Sequence, residues 1–164
     1  MPTIEFAIDL TVPDNTAFTV LTALRDLGYD KLERVERTEL LRLAFSDAAP
    51  DAAECARALT RAEVVFNPNK HRLGYDGGAK AAGSEAVVAD KDDDNSALAE
   101  LLSTRFGLPG LERLERATAW RLFENGAQAA PAEKLDWACR VLLANAHSQT
   151  YEIRTQPAYV SVTA

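Results

Sequence analysis

The sequence predicts an α+β fold in which two tandem βαββαβ units pack as a pseudo-dimer with antiparallel sheets. The sextet Leu32-Glu33-Arg34-Val35-Glu36-Arg37 recurs 79 residues later as Leu111-Glu112-Arg113-Leu114-Glu115-Arg116. Gly28 and Gly107, each four residues ahead of its copy, close helical patterns. Around both copies the order is the same: extended segment, acidic turn, amphipathic stretch, apolar run, second amphipathic stretch. Self-similarity of this kind decides architecture before any single element does. Two copies are too few for a solenoid, so the halves are expected to cover each other's sheet, in one continuous sheet or sheet on sheet. Residues 1–67 form the first unit, 68–83 a glycine-rich linker and 84–164 the second.

Each element has a local reason. Ile4, Phe6, Ile8 and Leu10 alternate with polar or small residues, the period of a half-buried strand. Pro13-Asp14-Asn15-Thr16 stops it and offers helix-starting side chains, and Val20, Ala23, Leu24 and Leu27 then share one helical face up to Gly28, a C-cap. From Leu32 to Phe45 the chain reads as a hairpin or a strongly bent pair of strands, with a bend near Thr38. Pro50 opens a helix with Ala52, Cys55, Ala56 and Leu59 as its stripe, and Glu63 to Phe66 reads as the closing strand. In the second half Ala86 to Ala89 is a strand. A helix carrying Leu98, Leu101, Leu102 and Phe106 follows, with one residue inserted relative to its counterpart. Trp120, Leu122 and Phe123 continue an extended run. Pro131 opens a helix striped by Leu135, Ala138, Cys139 and Leu142, Tyr151 and Ile153 close the unit, and Tyr159 to Val162 is a short strand or tail.

Composition bounds the function. With 25 acidic against 18 basic residues the formal charge is -7, and no clustered basic footprint marks a nucleic-acid surface. No apolar run is long enough to span a membrane and the start lacks the pattern of a signal peptide, so a cytoplasmic location is expected. Cys55 and Cys139 fall at comparable places in the two second helices and read as small buried hydrophobes rather than a disulfide or zinc pair.

The chemical motifs reduce to structural ones. Asp90, Asp92 and Asp94 resemble the start of a calcium loop, but Asn95 stands at the turn glycine and Leu101 at the bidentate glutamate, leaving a turn whose Asp94 or Asn95 caps a helix. Gly74 to Gly83 has the glycine density of a phosphate loop without its Gly-Lys-Ser/Thr ending. His71 and His147, the two histidines, have no Cys or His at ligand spacing. No catalytic, cofactor-binding or metal-binding residue is assigned, and no cofactor. Opposite charges on the repeated sextet suit ion pairs on a wet sheet face, or self-complementary pairing between the halves.

Several stretches resemble one family. Val12-Pro13-Asp14-Asn15, Ala23-Leu24-Arg25-Asp26-Leu27-Gly28-Tyr29, the run Val35 to Leu43, and above all Cys139-Arg140-Val141-Leu142-Leu143-Ala144-Asn145 leading to Tyr151-Glu152-Ile153 are similar to the small S subunit of phosphoribosylformylglycinamidine synthase (PurS). The resemblance implies paired ferredoxin-like units in tandem and no catalysis by the chain itself. It also implies a scaffold bridging the synthetase and glutaminase subunits of that ATP-dependent purine-biosynthetic complex, as a monomer with an internal two-fold or a weak homo-oligomer. Where the family carries an Arg followed two residues later by Gly-Lys, this chain has Glu36, Thr38 and Glu39, and then Glu115, Ala117 and Thr118. The alternative is a regulatory module holding a small ligand at the seam between the units.

Overall fold

Two strands of fourteen residues organise the molecule, a computed structural model that describes residues 1–80, 83–155 and 158–161. They are β2 (Leu32–Phe45) and β5 (Leu111–Glu124), and they pair antiparallel along nearly their whole length. On one side of the pair lie β1 (Thr3–Leu10), β3 (His71–Lys80) and β8 (Ala158–Ser161). On the other lie β4 (Ser84–Asp90) and β7 (Gln149–Thr155), giving the order β7-β4-β5-β2-β1-β3-β8 in a single antiparallel sheet. The two-residue β6 (Gln128–Ala129) pairs with the end of β5. Four helices, α1 (Asn15–Asp26), α2 (Ala52–Arg61), α3 (Ser96–Arg105) and α4 (Ala132–Ala138), complete an α+β fold, and α4 continues into a π-helical turn, Cys139–Leu143.

The register of the central ladder repeats the offset seen in the sequence. Val35 faces Leu122 and Leu43 faces Leu114, so the ladder is centred on Glu39 facing Thr118, two residues that are themselves 79 apart. The repeated sextets therefore lie at opposite ends of the ladder. Glu36 meets Arg121 at 3.5 Å and Glu115 meets Arg42 at 3.5 Å, a pair of ion pairs related by the same exchange of halves.

The helices cross over between halves. One apolar cluster joins Cys55, Ala56 and Leu59 of α2 to Ala99 and Leu102 of α3 over Phe6, Ile8, Leu41, Leu43 and Leu114. A second joins Ala17 and Leu24 of α1 to Leu135 and Ala138 of α4 over Val35, Ala86, Val88, Trp120 and Leu122. Each cluster draws on both halves of the chain, so neither half owns a closed core. Helix α1 stops at a Schellman turn in which the Tyr29 N–H donates to the Leu24 carbonyl at 3.0 Å and the Gly28 N–H to that of Arg25 at 3.0 Å, with Gly28 at φ 111°.

Several expectations change. The stretch from Leu32 to Phe45 is one strand rather than a hairpin, because its fourteen-residue partner holds the pairing unbroken past Thr38. The first half consequently runs βαβαβ instead of βαββαβ, while the second keeps a fourth strand before α4 only as the two-residue β6. Glu63, Val64 and Val65 form a turn, not the closing strand. Val65 and Phe66 are nevertheless buried beneath α2, and β3, inside the stretch read as a linker, takes the place beside β1. The buried face of α1 is Ala17, Val20, Leu21 and Leu24, with Leu27 exposed. At the end of α4 the wider π turn moves burial from Leu142 to Leu143. Val162, and Ala81 and Ala82 of the glycine-dense stretch, lie outside the described residues.

The face of the sheet away from the helices is coiled inward. β7 and β8 occupy opposite edges, yet Thr155 and Ala158 are three residues apart in the chain, which allows a separation of at most about 11 Å. Arg154 of β7 accordingly reaches Glu85 of neighbouring β4 at 2.8 Å and Glu5 of β1 at 3.0 Å, a strand four places away in the sheet. Ala7, Leu40, Val87 and Ala119 fill the middle of this concave face, their small or short side chains permitting the curvature. Glu85 has no exposed surface and also bonds Arg121 at 3.3 Å, while Arg121 donates to the Thr38 hydroxyl at 2.7 Å.

Candidate functional site

Between the two helix pairs the centre of the sheet is left open. Helices α2 and α3 cover one end of the long ladder and α1 and α4 the other, so the strand positions around Glu39 and Thr118 carry no helix. The result is a cleft of about 510 Å³, within the usual size of small-molecule sites.

Strand register builds its floor. A central row runs Ile8, Glu39, Thr118, Val88 across β1, β2, β5 and β4. To one side Arg37 faces Trp120 and Leu10 faces His71; to the other Arg116 faces Leu41 and Asp90 faces Gln149. These flanks correspond position by position: Arg37 with Arg116, Leu10 with Asp90, His71 with Gln149. The two flanks stand four residues apart along each long strand, about 13 Å. Leu143 and Asp93 contribute to the walls.

Both arginines are held by one edge. Arg37 donates through Nε and Nη2 to Asp14 at 2.9 and 3.0 Å, and Arg116 donates through the same two nitrogens to Oε1 of Glu39, the Nε bond at 3.0 Å. A guanidinium fixed in this way presents its Nη1 edge in a defined direction. Asp14 also accepts the backbone N–H groups of Thr16 and Ala17 at 3.1 Å, capping α1. Burial pushes its carboxyl up, but the Arg37 and backbone hydrogen bonds outweigh that and hold it below the ordinary carboxylate range.

His71 and Gln149 sit in matching turns. Asn67 accepts the Asn69 N–H on its side chain at 2.9 Å and the His71 N–H on its carbonyl at 2.8 Å, and donates its own N–H to Nδ1 of His71 at 2.9 Å. Asn145 accepts from His147 at 3.0 Å and from the Gln149 N–H at 2.7 Å, and donates to Oε1 of Gln149 at 2.9 Å. Because Nδ1 of His71 is an acceptor, the neutral ring carries its proton on Nε2. Burial, then the charge of Lys70, push the His71 pKa down against the pull of Glu39, so the neutral ring is favoured.

The residues weighed in the sequence fall unevenly around this site. His71, Asp90 and Glu39 line it, whereas His147 is exposed in its turn and Asp94 caps α3 by accepting the Ser96 N–H at 3.0 Å. Glu36 and Thr38 face the concave side, with Arg121, and with Arg121 and Asp9, respectively. Arg37 and Arg116, expected only as ion-pairing residues of the sextet, and Trp120, expected only as a strand residue, also line the cleft, together with Gln149. The available signal for Gln149 was the pair of asparagines 78 residues apart, each followed four residues later by a side-chain acceptor. Among the described residues no group of three or more His, Cys, Asp and Glu is arranged to hold a metal ion, and no helix is long and apolar enough to cross a membrane. Compared with known proteins, the chain matches no protein-family model and no curated protein.

Proposed function

We propose that the chain is a non-catalytic, PurS-like structural subunit, two tandem repeats standing in for a homodimer. It bridges the synthetase and glutaminase subunits of phosphoribosylformylglycinamidine synthase. The observation that carries this reading is the reciprocal contact of Glu36 with Arg121 and Glu115 with Arg42, the isologous pattern that a two-fold homodimer makes, here within one chain. The matching turns at Asn67 and Asn145 support it further, since the second belongs to the stretch that most resembles the family. Glu36, Thr38 and Glu39 are engaged with Arg121, Asp9 and Arg116, so docking uses surface elsewhere. Co-purification with the synthetase and glutaminase subunits, with ATP and glutamine present, tests the reading. A stoichiometric complex at about 10 μM is expected, and its absence rejects the assignment.

A second reading, binding of a small ligand at the seam, is favoured by the open cleft centred on Glu39 and Thr118.

A further inference from the structure

The two flanks of the cleft match in shape but not in charge. At the Arg37 flank the Asp14 carboxylate is spent on Arg37 and on the N-terminus of α1, whose dipole offsets its charge. What remains toward the cleft is a set of donors, the Nη1 edge of Arg37 and Nε2–H of His71. At the other flank Arg116 is held by Glu39 through the same edge and its charge is balanced there, but Leu10 is replaced by Asp90 and the loop adds Asp93, so the net charge of this flank is negative. Both of these aspartates receive neutral amides rather than cations. Gln149 Nε2 donates to Asp90 at 2.9 Å and Asn95 Nδ2 to Asp93 at 2.8 Å, which leaves their negative charge in place.

Resting on the seam-ligand reading, we propose that the cleft binds an extended zwitterion of about tripeptide length, its carboxylate at Arg37 and His71 and its ammonium at Asp90 and Asp93. The length follows from the spacing of the flanks: Arg37 and Asp90 stand four residues apart along the strands and two strands apart across them, about 16 Å between Cα atoms, and side chains reaching inward from both leave about 10 Å between the two charges, the span of three extended residues. Ile8, Leu10, Val88 and Trp120 provide apolar floor between the ends and ask nothing specific of intervening side chains. A single anion meets net repulsion from Asp90 and Asp93, and a single cation leaves the donors of Arg37 and His71 unmet.

Titration calorimetry with tri-alanine, N-acetyl-tri-alanine and tri-alanine amide reads both charges separately. Tri-alanine is expected to bind at least about tenfold more tightly than either capped form, a difference of about 1.4 kcal/mol. In the Asp90→Asn, Asp93→Asn double variant, the gap between tri-alanine and its acetylated form should close while that to the amide persists. Equal binding of the three probes overturns the assignment of the charged ends and leaves the seam-ligand reading standing. No binding of any probe at about 10 mM, a concentration that would reveal a millimolar site, overturns the peptide-length zwitterion altogether and leaves the seam only to ligands of other chemistry.

Discussion

His71 and Gln149 make the same hydrogen bond with different chemistry: each accepts the backbone N–H of an asparagine four residues earlier at 2.9 Å, one through an imidazole nitrogen and the other through an amide oxygen. Only the first can titrate. Its pKa is lowered in the folded chain from 6.5, so the unfolded state takes up the proton first. The stability it contributes is whole above 6.5 and is lost as the pH falls through the folded value. His71→Gln copies its counterpart, keeps the acceptor and removes the titration. The variant should unfold near the wild-type temperature above pH 6.5 and lose less stability on acidification below it. Thermal melts across that range check this, and parallel curves would show that His71 adds nothing to the pH response.

Glu85 and Glu36 offer a contrast between buried and exposed pairing to the same arginine. Both lie within 3.5 Å of Arg121, but Glu85 has no exposed side-chain surface and Glu36 is 41% exposed. Glu85→Gln leaves Arg121 and Arg154 short of a buried counter-charge and should cost about 3–5 kcal/mol. Glu36→Gln should cost less than about 1 kcal/mol. Urea unfolding of the two variants measures the difference, and comparable losses would mean that the concave face is wetter than its burial indicates.

The crossed helices make the two halves one folding unit. Leu24 of α1 is buried among residues of the second half, and both tryptophans, Trp120 and Trp137, lie in that half and belong to or pack against the same cluster. Leu24→Ala should therefore destabilise the chain by about 2–5 kcal/mol. Tryptophan fluorescence and far-ultraviolet dichroism should shift to lower urea together as a single transition. A fluorescence transition left in place while the dichroism splits would show that the halves unfold separately.

Reading the sequence found what local chemistry encodes. The recurrence of the sextet, the glycine closing α1, the Cys55 stripe and the Cys139 stripe as far as Cys139 itself survive in the structure, because each depends on a few neighbouring residues. The long strand was missed because Thr38 reads as a break, whereas it is buried and bonded to Asp9 and Arg121, partners remote in sequence. β3 was missed for a similar reason. His71-Arg72-Leu73-Gly74-Tyr75 has little strand propensity, and its place is set by pairing with β1, while the more strand-like Val64-Val65-Phe66 is used as an apolar turn under α2. The cleft was legible only as a seam. Its lining pairs His71 with Gln149 and Leu10 with Asp90, residues unlike in type, so no sequence similarity links them.

The two cysteines test burial directly. Cys55 in α2 and Cys139 at the start of the π turn are both fully buried, in different clusters. Burial first, then Glu54 and Asp51, push the Cys55 thiol up to about 11; burial and Asp136 push Cys139 up to about 12. Thiolate is the reactive form, so both should be inert in the native chain at neutral pH and both should react once it unfolds. Since the two clusters share the β2·β5 ladder, the thiols should become reactive at the same denaturant concentration. Counting modified cysteines with iodoacetamide across a urea series, then locating them by mass spectrometry, checks this. Labelling of Cys139 well before Cys55 would identify the π turn and α4 as a locally opening unit and would break the single-unit picture at that helix.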